Sequence, residues 1–210
     1  MASRKTAQYH LSRQTYMAVC LVCTVIFAVA AAVASRQVMT GWENIIFSAI
    51  NGWPDSLRLL FLGITQLGNA WMLLIVPLIA FVNKQRVLAR HLLINGLIAL
   101  FLAEITKLIV HRPRPEFLRL GVSQRELAVS GYGFPSGHTT VATVLALTLL
   151  PYVPRKYWWL LGLWLLLVGI SRMYLGVHAP LDIIGGITLA GAVVAASHLW
   201  DINSIKKNNK

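Results

Sequence analysis

Six apolar runs decide what this chain can fold into. They are Tyr16 to Ala34, Leu57 to Val82, Leu92 to Val110, Thr139 to Leu150, Tyr157 to Ile170 and Leu181 to Trp200. About 20 apolar residues are enough for a helix to cross a hydrocarbon core of ~30 Å. Between the runs lie short polar stretches, and only 12% of the 210 residues are charged against 57% hydrophobic. That excludes a soluble domain of this size and predicts an integral membrane protein. The expected fold is all-α, a six-transmembrane-helix bundle with short interfacial helices. The stretch Trp42 to Ile50 is amphipathic, with tryptophans at its borders, and is expected to lie along the interface. The first run is longer than the apolar core of a secretory signal and reads as a retained span.

The formal net charge of +12 could point to nucleic acid. The basic residues are instead scattered through short loops between the apolar runs, where they act as topology signals and phosphate ligands. With six crossings both termini share a side. Arg4, Lys5, Arg13, Lys84, Arg86, Arg90, Arg155, Lys156, Lys206, Lys207 and Lys210 fall there, eleven in all, against eight Lys and Arg on the other side. Glu43, Asp55, Glu116, Glu126 and Asp182 fall on the eight side and offset its arginines. The termini are therefore expected in the cytoplasm. The division is a cytoplasmic segment 1–15, a membrane domain 16–200 and a basic tail 201–210. Cys20 and Cys23 form a CxxC inside the first run, where packing is a better reading than redox or metal chemistry.

Three polar clusters are expected at one membrane face. In KLIVHRPRP, Lys107 sits within the end of an apolar run, a costly place unless it snorkels or meets an anion. Arg114 stands between Pro113 and Pro115, which stiffen the backbone under a guanidinium fork suited to phosphate oxygens. In GFPSGHTTV, Ser136, Gly137 and His138 stand where a loop becomes a helix, so free N–H groups and a proton carrier meet at an anion site. In SRMYLGVHAPLD, Arg172 adds a second fork, and His178 and Asp182 are four residues apart. Pro180 suits the first position of a helix. If the helix begins there, Asp182 can reach the His178 ring and leave its other nitrogen free to attack. Two histidines, one oriented by a carboxylate, and several cations make a phosphoryl-transfer set.

These residues resemble the three motifs of the type 2 phosphatidic acid phosphatase superfamily of membrane lipid phosphatases: K-x6-RP, PSGH and SR-x5-H-x3-D. Lys107 with Arg114-Pro115, Pro135-Ser136-Gly137-His138, and Ser171-Arg172 with His178 and Asp182 match in order and spacing. The resemblance implies His178 as nucleophile forming a phosphohistidine, Asp182 orienting it, and His138 protonating the leaving oxygen. It implies Lys107, Arg114, Ser136, Gly137 and Arg172 as the phosphate-binding set, with no metal and no cofactor. The implied substrate is a lipid phosphate held in the bilayer. Undecaprenyl diphosphate is the first expectation, and phosphatidylglycerophosphate or phosphatidate the second. Lipid A phosphate and transfer between lipids follow. A bacterial inner membrane with the site at the outer face is the implied setting.

A vanadate haloperoxidase shares such a site, but those are large soluble proteins. A polytopic transporter would explain the spans and not the motifs. Glu104, three residues before Lys107, is expected to pair with it, with contact to substrate as the alternative. Arg112, Arg119 and Arg125 are read as solvated, with a wider headgroup site as the alternative, and His111 as a residue that could line the site. His10, His91 and His198 lie near the opposite side. Gly185, Gly186, Ala190 and Gly191 are read as close helix contacts.

Overall fold

The structure, a computed structural model, describes residues 12–126 and 131–208. The readings for Arg4, Lys5, His10 and Lys210 lie outside the described residues, as do the side chains of Lys206 and Lys207. The described chain is helical throughout and contains no strand. It runs α1 (Arg13–Ala34), α2 (Gly41–Asn51), α3 (Arg58–Thr65), α4 (Met72–Val82), α5 (Arg86–Val110), α6 (Pro115–Leu118), α7 (Gly137–Leu149), α8 (Trp158–Tyr174) and α9 (Pro180–Asn208).

Four of the described segments, built around α1, α5, α8 and α9, are long and apolar enough to cross a membrane. The second apolar run is not one straight helix. It is α3 and α4, joined through a tight turn at Gln66–Gly68 and bent by 60°, and it makes a fifth crossing if the pair is one span. The break follows from Gly68: a Cβ there would stand 2.7 Å from the His138 carbonyl oxygen, so only glycine lets this backbone touch the start of α7. The fourth run, α7, has 13 residues, about 20 Å of helix at 1.5 Å per residue. That is short of a full hydrocarbon core.

The shortness of α7 matches its place. It is enclosed by α5, α8 and α9, and buried residues occupy every side of it from Thr139 to Ala146. Leu92 and Ala99 of α5, Val141, Val144 and Leu145 of α7, and Ala190 and Val193 of α9 form the main core. In lipid, small residues drive such approaches, because apolar surface gains little by leaving one hydrocarbon for another. A Cβ on Gly185 would strike the Phe134 ring at 2.4 Å, one on Gly186 would lie 2.8 Å from the Ser136 carbonyl oxygen, and one on Gly191 2.8 Å from Cys23 Sγ. These positions are helix contacts, as read from the sequence. Cys23 packs on α9, and Cys20 Sγ faces the Ala192 carbonyl at 3.8 Å.

The polar loops end differently from the sequence reading. α8 continues through Ser171 and Arg172 to Tyr174, where a loop was expected. Its stop is Gly176, whose φ of +81° turns the chain back toward the bundle, a conformation most residues avoid. α9 starts at Pro180 as expected. α2 is the expected short helix, opened by a capping box in which Glu43 Oε2 accepts from the Thr40 N–H at 3.0 Å.

Candidate active site

The three clusters reach the site from the ends of four helices. Lys107 is in the last turn of α5. Arg114 follows the turn made by His111, which takes a left-handed φ of 52° and ends α5. Gly137 and His138 open α7, and Arg172 closes α8. His178 and Asp182 straddle the start of α9.

Backbone contacts lock these ends together. The Ser136 N–H donates to the Asp182 carbonyl at 3.0 Å, and the Gly133 N–H to the Arg112 carbonyl at 2.7 Å. The Val177 and His178 N–H groups both donate to the Arg172 carbonyl, at 3.1 and 3.3 Å.

Six of the eight expected residues line one cavity of about 300 Å³: Lys107, Arg114, Gly137, His138, Arg172 and His178. The other two stand behind it. Ser136 is fully buried, and its Oγ caps α7 by accepting from the Thr139 N–H at 3.4 Å. Asp182 is also buried, with Oδ2 3.4 Å from His178 Nδ1, longer than a normal hydrogen bond. The same Oδ2 accepts from the Ala179 N–H at 2.8 Å. His178 is 3% exposed. Burial, and then the nearby Arg114, Arg172 and Lys107 charges, push its imidazole well below the usual histidine range. A neutral ring with Nδ1 turned to a carboxylate offers Nε2 as a nucleophile.

The cations already have protein partners. Lys107 Nζ meets Glu104 Oε1 at 2.7 Å, as expected from the i, i+3 spacing. Arg172 Nη1 meets Glu126 at 2.7 Å and donates to Thr65 Oγ1 at 2.6 Å. Arg114 donates from Nε to the Gly131 carbonyl and from Nη1 to the Val177 carbonyl, both at 3.0 Å. Sequence reasoning missed Glu126 at the site, along with Gly68, Asn69 and Ala70, which the α3–α4 break brings to the cavity wall.

Two of the arginines read as solvated are not. Arg112 is fully buried between Asp182 and Glu43. Arg125, 8% exposed, pairs with Asp55 at 2.7 Å, donates to the Asn51, Trp53 and Tyr174 carbonyls, and lies over the Tyr174 ring. It clasps the loop ends together. Arg119 is half-buried, lies over the Phe47 ring and donates to Ser48 Oγ. His111 is exposed, meets Tyr132 edge-on and is not part of the cavity wall.

The family model for the PAP2 superfamily matches residues 88–206, which takes in all three clusters. The chain belongs to the PAP2 superfamily. The resemblance carried by the motifs is thereby borne out. This PAP2 chain is 32% identical over 177 residues to phosphatidylglycerophosphatase B of Bacillus subtilis, covering 76% of this chain and 83% of that one. It is 34% identical over 113 residues to an undecaprenyl-diphosphatase of Sulfolobus acidocaldarius, covering 53% of this chain and 54% of the other. The chain thus spans about half the length of the Sulfolobus relative, and about a third of that of two others. Among solved structures, the transmembrane PAP2-type phosphatidylglycerolphosphate phosphatase of Bacillus subtilis superposes with a TM-score of 0.66 at 25% identity, covering 91% of this chain and 97% of that one. With its apolar helices, this makes the PAP2 chain an integral membrane protein of a lipid phosphatase family.

Proposed function

We propose that this protein removes the terminal phosphate of a membrane lipid phosphate through a phosphohistidine on His178. The observation that carries the reading is the one cavity into which four separate helix ends deliver His178, His138 and three cations. In the first step, His178 Nε2 forms a bond to phosphorus while the bond to the lipid oxygen breaks. His138 gives that oxygen its proton. Lys107, Arg114 and Arg172 hold the equatorial oxygens, where charge stabilisation does most of the work of phosphoryl transfer. The Gly137 N–H at the start of α7 adds a donor, and Ser136 supports it as the cap. In the second step, water attacks phosphorus, the P–N bond breaks and His138 takes the water proton. Asp182 holds the ring and offsets its positive charge in both steps. The cations do what a metal would do elsewhere, so the reaction is metal-independent.

Six crossings follow if the α3–α4 pair and α7 each count as one. Residues 16–200 then form the membrane domain, with the segment 1–15 and the tail 201–210 in the cytoplasm of a bacterial cell. The cavity opens at the outer face of the inner membrane.

The first substrate choice is undecaprenyl diphosphate, in keeping with the Sulfolobus relative. Phosphatidylglycerophosphate is the second reading, favoured by a relative and a solved structure matched over 83% and 97% of their lengths. The test is phosphate release by the purified protein from both lipids and from phosphatidate, in EDTA, with His178→Ala alongside. Release that depends on His178, with one lipid preferred, supports the proposal and selects the substrate. Undiminished release by His178→Ala overturns the nucleophile.

A further inference from the structure

Arg112 belongs to none of the three clusters, yet it is among the most buried large side chains in the protein. Both terminal nitrogens of its guanidinium are committed to one side of the site. Nη1 donates to Asp182 Oδ1 at 2.8 Å, and Nη2 reaches Glu43 Oε1 and Oε2 at 2.9 and 3.0 Å and the Val38 carbonyl at 3.1 Å. Glu43 is likewise fully buried. Besides Arg112, its oxygens accept from the Thr40 N–H and hydroxyl and from the Leu181 N–H at 3.2 Å, in the first turn of α9.

We infer that Arg112 and Glu43 are positioning residues for His178, acting through Asp182. The inference rests on the reading of His178 as nucleophile. Asp182 has two oxygens and both are fixed: Oδ1 by Arg112, and Oδ2 by the Ala179 N–H, beside His178 Nδ1. A carboxylate pinned at both oxygens cannot rotate, so it presents a constant face to the imidazole. Glu43 does the same one step further out. It holds the Arg112 fork and anchors the first turn of α9, on which Asp182 sits. The charges Glu43, Arg112 and Asp182 sum to one negative charge, and that charge lies next to the ring that becomes positive on attack. Without Arg112, two buried carboxylates would be left with no cation between them, which is costly. The interfacial helix α2 thereby contributes to the alignment of the nucleophile, although none of its residues lines the cavity.

The test uses purified full-length protein in detergent micelles with undecaprenyl diphosphate and phosphatidylglycerophosphate, comparing wild type, Arg112→Lys, Arg112→Gln, Glu43→Gln and His178→Ala. Lysine keeps the charge but has no fork to span two carboxylates. Outer-shell partners of metal-bound histidines typically cost about 10- to 100-fold when changed, and a carboxylate-oriented nucleophile is expected to respond on the same scale. The expected pattern is a fall in kcat of about 100-fold for Arg112→Gln and about 10-fold for Arg112→Lys and Glu43→Gln, in that range. KM should stay near the wild-type value, because Lys107, Arg114 and Arg172 are untouched. A generally loosened fold would instead raise KM and give lysine no advantage over glutamine. Wild-type kcat in both Arg112→Lys and Glu43→Gln, with His178→Ala inactive, overturns the positioning role and leaves the phosphatase reading standing. So does a rise in KM at constant kcat. Full release by His178→Ala removes the reading on which the inference rests, and the inference with it.

Discussion

Replacing Gly68 by alanine should damage catalysis from a residue that carries no functional group. Gly68 lies at the break between α3 and α4, against the first turn of α7. An alanine Cβ would stand 2.7 Å from the His138 carbonyl oxygen and 2.8 Å from Val168 Cγ1. Ordinary contact begins at 3.4 Å, so the His138 backbone must give way by about 0.7 Å, the difference between 3.4 and 2.7 Å. A valine methyl can rotate aside, but a carbonyl at the start of a buried helix moves only if the helix start moves with it. Overpacking of this kind costs about 1–3 kcal/mol of stability. A misplacement near 1 Å at a reacting group can cost ~100-fold in rate, so about 0.7 Å should lower kcat/KM by roughly 10- to 100-fold. The assay is phosphate release in EDTA, with the thermal midpoint measured in the same detergent. Gly63→Ala is the matched control. A Cβ there meets nothing within 4 Å, and Gly63 sits within α3. Alanine should therefore leave activity alone and raise stability by up to about 1 kcal/mol. Wild-type kcat/KM in Gly68→Ala, or an equal loss in Gly63→Ala, would refute the claim that α3–α4 sets the position of His138.

Three further expectations follow. The folded protein holds His178 well below its ordinary value, so on acidification through about 6.5 only the unfolded chain gains that proton. The stability of wild type relative to His178→Ala should therefore fall between pH 7 and pH 5.5, by up to about 1.4 kcal/mol per unit below 6.5, and a flat difference in thermal midpoint would contradict the assigned shift. Phosphate release should persist in excess EDTA, whereas loss that Mg²⁺ restores would defeat the metal-free mechanism. A cysteine in place of Arg119 should react with an impermeant maleimide on intact cells, and labelling only after permeabilisation would invert the proposed topology.

Much of the fold was legible because helix ends announce themselves locally. Pro180 starts α9 and Val110 ends α5 where the sequence places them. Hydropathy was a poorer guide wherever protein replaces lipid as the surrounding medium. Leu57 to Val82 is continuous in apolar character but broken in space, because Gly68 packs on the backbone of a helix 70 residues later in the chain. Ser171 and Arg172 look like loop by polarity, yet they extend α8, since no residue interrupts the helix before Gly176. A buried arginine that finds its partners within the protein has no need of a loop.

The same distinction separates what was readable of the site from what was not. Its cations and histidines stand in short motifs, but their counter-charges do not. The Lys107–Glu104 pair could be read from the sequence because it lies on one turn of one helix. Arg112 pairs with Glu43 and Arg172 with Glu126 across long stretches of chain; a local capping box marks Glu43 as a helix-start acid, but nothing local names its arginine, and nothing local marks Glu126. Membrane physics says only that a buried charge must find a partner. It does not say which. This bears on how phosphate is recognised. Arg172 is already ion-paired with Glu126 at the cavity wall, and Lys107 with Glu104. On the proposed function, an arriving phosphate would meet cations that hold carboxylates, and binding would exchange one anion for another. The desolvation of those cations has been met during folding, so on that proposal the selectivity of the site would turn on how much better a phosphate satisfies their donors than a carboxylate does.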